Sequence, residues 1–114
     1  MFLALSACAG GQSFNVERPP LPTQAEVIEY ITSHWSEWEP RFARFASRQG
    51  EAAALGVIKN VSCDYLYSTP ECWAEVTARF GDGSEQTQKM FSQFERDEAG
   101  KLKEVIVMYH VRRR

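Results

Sequence analysis

Hydrophobic positions along this chain change their period once, near Gly56. Between Thr23 and Gly50 they fall at Ile28, Ile31, Trp35, Trp38, Phe42 and Phe45, a three-four alternation that lines one face of a helix. Beyond Gly56 the period is two. Val57, Val61, Cys63 and Tyr65 share one strand face, and Cys72, Ala74, Val76, Ala78 and Phe80 share a face of the next. Thr23-Gln24-Ala25-Glu26 has the capping-box pattern and predicts where the helix starts. Pro40 lies inside the helical stretch without changing its phase. It removes a backbone donor, so a kink or break is expected at Trp38–Glu39. Gly50 is the expected end.

Three turns divide the rest of the chain: Ser68-Thr69-Pro70, Gly81-Asp82-Gly83-Ser84 and Asp97-Glu98-Ala99-Gly100. The third strand, about Glu85 to Arg96, carries Met90 and Phe94 on one face and Phe91 on the other, which leaves its register open. The fourth, Leu102 to Val111, has Val105, Val107, Tyr109 and Val111 on one face and Ile106 and Met108 on the other. Setting Cys63 opposite Cys72 also sets Val61 opposite Ala74, Val57 opposite Ala78 and Leu55 opposite Phe80. Only Lys59 is out of place. That agreement predicts a Cys63–Cys72 disulfide in an oxidising compartment.

The expected fold is α+β: one long, Pro-kinked N-terminal helix packed on a four-stranded antiparallel meander. In element order, over about residues 23–111, this resembles the cystatin-like architecture, or a reduced member of the nuclear-transport-factor-2-like group. The resemblance implies a scaffold and leaves its function open, because inhibitors, binding modules and enzymes all use it.

The N-terminus carries a second resemblance. Phe2-Leu3-Ala4-Leu5 is apolar, and Leu5-Ser6-Ala7-Cys8 resembles the bacterial lipobox. That resemblance implies cleavage before Cys8, diacylation of its sulfur and acylation of the new amino terminus. Residues 1–7 are then the remnant of a signal peptide whose basic region lies upstream of Met1. Residues 8–22 form a lipid-anchored tether, and residues 23–114 the α+β domain. Ala9, where an aspartate would favour the inner membrane, implies the outer membrane by the same resemblance. Two or more acyl chains suffice for stable anchoring. The competing reading is a frayed apolar N-terminus with a free thiol at Cys8. Within the tether, Arg18-Pro19-Pro20-Leu21-Pro22 reads as an extended spacer.

Composition narrows the function classes. A chain of 114 residues with 44% hydrophobic and 25% charged residues makes one globular domain. A net charge of −2 offers no basic surface for nucleic acid. No phosphate loop, nucleophile elbow or metal motif is present, so no cofactor, metal or catalytic residue is expected. His34 and Glu37 stand one helical turn apart, but two ligands do not make a metal site. His110 reads as an edge residue, and Asp64 and Glu71 as solvated carboxylates flanking a hairpin. Arg41, Arg44 and Arg48 recur at helical spacing and form a candidate basic patch for anionic headgroups, as does Arg112-Arg113-Arg114. A solvated helix face is the simpler reading of the first cluster.

One surface stands out. Ile58, Leu66, Trp73, Ile106 and Met108 are expected to point away from the helix and form an interaction face. Fully exposed, they would make an apolar patch larger than most monomers carry. The expected function is therefore a lipid-anchored periplasmic binding protein of the bacterial envelope, with no catalytic activity. Its expected partners are membrane lipid through Cys8 and another envelope protein or a second copy of the chain. Two alternatives use a cavity between helix and sheet. One is a carrier or sensor of a small apolar ligand held beneath Trp35 and Trp38; the other is a minimal enzyme with His34 or Tyr65 inside.

Overall fold

The capping box forms as the sequence predicts. Thr23 Oγ1 accepts from the Glu26 amide at 3.1 Å, and the Glu26 carboxylate accepts from the Thr23 amide at 2.9 Å. The structure, a computed structural model, describes residues 18–105. Within them α1 spans Gln24–Ser33 and α2 spans Trp35–Phe45. Four strands follow: β1 Ala53–Leu66, β2 Thr69–Phe80, β3 Glu85–Arg96 and β4 Leu102–Val105. They pair in sequence order as one antiparallel sheet. Cys8, Ile106, Met108, His110 and the terminal arginines lie outside the described residues. Among the described residues, no helix is long and apolar enough to cross a membrane.

Two helices replace the one expected, and the break is at His34 rather than at Trp38–Glu39. Three consecutive polar side chains explain it. Thr32 Oγ1 donates to the Ile28 carbonyl at 2.7 Å and Ser33 Oγ to the Glu29 carbonyl at 2.9 Å. His34 brings both its amide (3.0 Å) and ring Nδ1 (2.9 Å) to the Tyr30 carbonyl. Side chains that bond the carbonyls four residues back bend and weaken a helix. The chain restarts when the Glu37 and Trp38 amides bond the His34 carbonyl. Pro40 then falls in the second turn of α2 and is accommodated within the helix. The end also differs. Ser47 takes φ 61° and donates to Arg44, while Arg48 donates to Ala43 at 2.8 Å. That pair of bonds is a Schellman close, so α2 stops at Phe45, before Gly50.

Breaking the helix resets its phase. Val27, Ile31, Trp38, Phe42, Ala43 and Ala46 are buried, whereas Phe45, expected in the stripe, is 46% exposed. The sheet supplies the other half of the core. Cys72, Ala74, Val76, Ala78 and Phe80 of β2 are all buried, as their alternation predicts. Pairing of Ala74 with Met90 and Trp73 with Phe91 fixes the register of β3. Met90 and Phe94 enter the core and Phe91 stays outside.

Cys63 pairs with Cys72 and is bonded to it, S–S 2.07 Å. Toward the start of β1 the ladder departs from the expected register at two bulges. One lies between Lys59 and Ser62, the other between Leu55 and Val57. Each leaves β1 one residue ahead of β2, so Val57 meets Thr77, Leu55 meets Ala78 and Ala53 meets Phe80. Asn60 takes the left-handed conformation at φ 55°, which asparagine tolerates, and its amide donates to Glu75 at 2.8 Å. Between the bulges the faces are exchanged. Ile58 packs against the core, Val57 is 50% exposed, and Lys59, the misfit of a regular ladder, faces solvent. Ile58 is thus removed from the expected outer face.

Arg18 to Pro22 lie against the domain. Tyr65 Oη donates to the Pro19 carbonyl at 2.6 Å, and the Arg18 guanidinium sits 4.5 Å from the Tyr65 ring centroid. Pro22 is buried.

Candidate functional site

The outer face of the sheet exposes an aromatic pair. Trp73 of β2 and Phe91 of β3 are direct partners, with ring centroids 4.7 Å apart and exposures of 36% and 37%. Lys89 Nζ lies 5.2 Å from the Trp73 centroid, a cation–π arrangement that keeps a charge beside the apolar rings. Glu71 and Gln93, partners in the ladder, flank the pair on one side, and Glu75 and Lys89 on the other. Leu66 and Tyr67 are exposed at the β1–β2 turn. Leu66 and Trp73 therefore stand on the outer face. Phe91 joins them, and its parity opposite to Met90 and Phe94 was the available signal.

Arg41, Arg44 and Arg48 are engaged differently, and Arg41 and Arg44 line one cleft. Arg41 makes a two-pronged ion pair with Glu104 of β4, at 2.6 and 3.0 Å, and its guanidinium lies 4.5 Å from the Trp38 ring centroid. Arg48 binds Glu51, Asp82 Oδ2 and Ser84 Oγ, and stacks 4.2 Å over Phe80. It fastens the end of α2 to the β2–β3 turn. Hydrogen bonds from Ser84, reinforced by Arg48, hold the Asp82 carboxyl down at about 2. Of the three, only Arg44 is exposed, and its side chain has no hydrogen bond or ion pair among the described residues.

Among the described residues Glu104 is the most buried member of an ion pair, with 6% of its side chain exposed. It accepts from Arg41 and from the hydroxyl of Ser92, the one buried polar residue among the described residues. Burial is the largest single influence and pushes its pKa up. The hydrogen bonds from Arg41 and Ser92 together outweigh it, so the carboxyl is held below its ordinary range. The buried Trp38 indole N–H adds to this pull without meeting hydrogen-bond geometry. A carboxylate so fully engaged is a poor base, and Ser92 already donates its proton to it. The cluster joins α2 to β3 and β4 rather than offering a nucleophile. Above it lies a cleft of about 560 Å³ whose walls include Arg44, Phe45, Phe91 and Val105.

A second cleft, about 260 Å³, opens between α1 and the β3–β4 turn. His34 lines it, stacked on Tyr30 with ring centroids 3.8 Å apart. Because a carbonyl only accepts, Nδ1 is the donor in its contact with the Tyr30 carbonyl. Glu26, at the same cleft, binds Arg96 through both oxygens at 2.8 and 2.9 Å. Glu37, by contrast, lines the cleft above Glu104, so His34 and Glu37 are divided between the two. Among the described residues no three His, Cys, Asp or Glu side chains are grouped to hold a metal ion. Asp64 and Glu71 face each other across the ladder. Neither Trp35 nor Trp38 lines either cleft; Trp35 Nε1 donates to the Ala53 carbonyl at 2.8 Å.

No family model matches the sequence, and no curated protein or solved structure is significantly similar to it.

Proposed function

We propose that this protein is a lipid-anchored binding protein of the bacterial envelope, facing the periplasm, that recognises another envelope protein through the outer face of its sheet. One observation carries the reading: the exposed Trp73–Phe91 pair, framed by Glu71, Glu75, Lys89 and Gln93. Aromatic anchors within a polar surround are the composition of interaction hot spots. The Cys63–Cys72 bond suits an oxidising compartment, and Leu5-Ser6-Ala7-Cys8 supplies the acylation site.

The test replaces Trp73 and Phe91 with glutamine in the full chain. Partner capture from detergent-solubilised envelopes and thermal unfolding are both measured. Loss of one defined partner with an unchanged melting temperature supports the reading. Unchanged capture places recognition elsewhere. Anchoring is tested separately by Cys8→Ser, which is expected to release the protein from membranes.

A further inference from the structure

We propose that the segment recognised by the outer face is cationic: an extended stretch of a partner protein that sets an apolar side chain against Trp73 and Phe91 and a lysine or arginine between Asp64 and Glu71. The proposal rests on the reading of the aromatic pair as the docking site and adds the chemistry of what docks there. Ladder pairs place the outer residues in rows across the sheet. Ser62, Trp73 and Phe91 form one row. Lys59, Glu75 and Lys89 form the row on one side of it, and Asp64, Glu71 and Gln93 the row on the other. In the first of these flanking rows the carboxylate is well supplied: Glu75 stands between two lysines and accepts from the Asn60 side-chain amide at 2.8 Å. Elsewhere on this face Glu85 pairs with Arg79 at 2.8 Å and Glu95 with Lys103 at 3.3 Å. Asp64 and Glu71 differ. They face each other directly, and among the described residues no lysine or arginine pairs with either. Like charges set directly opposite each other repel.

The order of the rows gives the occupant its pattern. Beyond Asp64 and Glu71 the next row holds Leu66 and Thr69, and Leu66 is exposed. Tyr67, beside it in the two-residue turn, is 89% exposed and takes φ 60°, a left-handed conformation unusual for a bulky residue. The strip therefore runs aromatic, acidic, apolar. Rows on one face lie two residues apart along a strand, about 7 Å. An extended segment laid along β2 meets them with every second side chain, so the matching segment is apolar, basic, apolar at alternate positions. A cation placed there faces two carboxylates, and an arginine has donors enough for both. An anionic membrane surface would be repelled by the same two carboxylates. A second copy has no spare cation on its own outer face: Lys89 lies over Trp73, Lys59 faces Glu75, and Arg79 and Lys103 are in ion pairs.

Selection of random linear peptides displayed on phage, with the full chain as bait, tests the proposal. Synthetic copies of the selected peptides are then titrated against the full chain and three variants. These are Asp64→Asn combined with Glu71→Gln, Trp73→Gln combined with Phe91→Gln, and Glu85→Gln. The selected peptides are expected to carry a lysine or arginine two positions from an apolar residue. Their affinity should fall about tenfold when Asp64 and Glu71 are neutralised, weaken with added salt, and stay unchanged in Glu85→Gln. It should be lost without the two aromatic rings. Neutralising two opposed carboxylates removes a repulsion, so that variant is expected to keep its melting temperature; if it does not fold, Asp64→Asn alone decides. Peptides that need Trp73 and Phe91 but lack a basic residue, or bind the neutralised variant equally well, overturn the cationic inference and leave the docking face in place. Peptides indifferent to the two aromatic substitutions overturn the face and the inference together. A selection that yields no binding peptide overturns the inference. So does a full chain whose mass doubles through Trp73 and Phe91, which would put a second copy on the face.

Discussion

Arg41 and Glu104, 63 positions apart in the chain, meet in a two-pronged ion pair whose carboxylate is almost wholly buried. This pair, with Ser92, joins α2 to both strands at the β4 side of the sheet. Removing the guanidinium would leave a buried charge supported by one hydroxyl. Arg41→Ala is therefore expected to destabilise the domain by about 3 kcal/mol. Glu104→Gln keeps an acceptor for Ser92 and removes the buried charge, so it should cost less, about 1–2 kcal/mol. Urea unfolding of the two variants checks the order. Equal costs would mean that Glu104 is not desolvated in solution.

Acid should destabilise the protein in part through Glu26. Its hydrogen bonds from Arg96 and then from the Thr23 amide bring its pKa from 4.5 to about 2. A carboxyl held low in the folded state contributes stability that is complete above its unfolded pKa and is lost as pH falls through its folded one. The window here is pH 4.5 to 2. Glu26→Gln should lower the melting temperature at pH 7 and flatten its decline across that window. A decline parallel to that of the unmodified protein would show that the Glu26–Arg96 pair adds nothing in water.

Local signals were legible in the sequence and distant ones were not. Thr23-Gln24-Ala25-Glu26 capped a helix, and the alternation through β2 gave its buried face residue by residue. The break at His34 was visible as Thr32-Ser33-His34, three side chains that compete for backbone carbonyls, but Pro40 is the louder signal and points one turn too far. Lys59 was the trace of the bulges: a lysine on an apolar face means that the face, not the lysine, is misplaced. The Arg41–Glu104 pair left no trace, because helical spacing groups arginines by face and says nothing of a glutamate 63 residues away. Phe45 illustrates the same limit, since its period places it in the stripe until the helix breaks.

The disulfide should act as an ordinary short cross-link. Cys63 and Cys72 are nine positions apart, and closing so short a loop restrains the unfolded chain by about 2–3 kcal/mol. Replacing both with alanine should lower the urea midpoint accordingly while leaving the sheet's circular dichroism unchanged. Alkylation of unreduced protein should leave these two cysteines unmodified. If both react without reductant, the bond does not form in the mature protein.

The bulge at Asn60 makes the sharpest demand on a single residue. Only there in β1 is φ positive among non-glycine residues, and the side-chain bond to Glu75 steadies the extra residue. Asn60→Gly keeps the conformation and loses one exposed hydrogen bond, so its effect should stay within about 1 kcal/mol. Asn60→Val must hold a β-branched residue at positive φ, at a cost of about 1–2 kcal/mol. Gly56→Ala tests the second bulge, since a Cβ there would lie 3.0 Å from the Thr77 carbonyl oxygen; about 1–3 kcal/mol is expected. Deleting Asn60 outright should be worse than either substitution. A regular ladder would return Lys59 to the core face and turn Ile58 to solvent. Denaturant midpoints that rank glycine, valine and deletion in that order would establish that the bulge sets the faces of β1. A deletion as stable as the full chain would mean that β1 slides freely past β2 and that Ile58 has no fixed side.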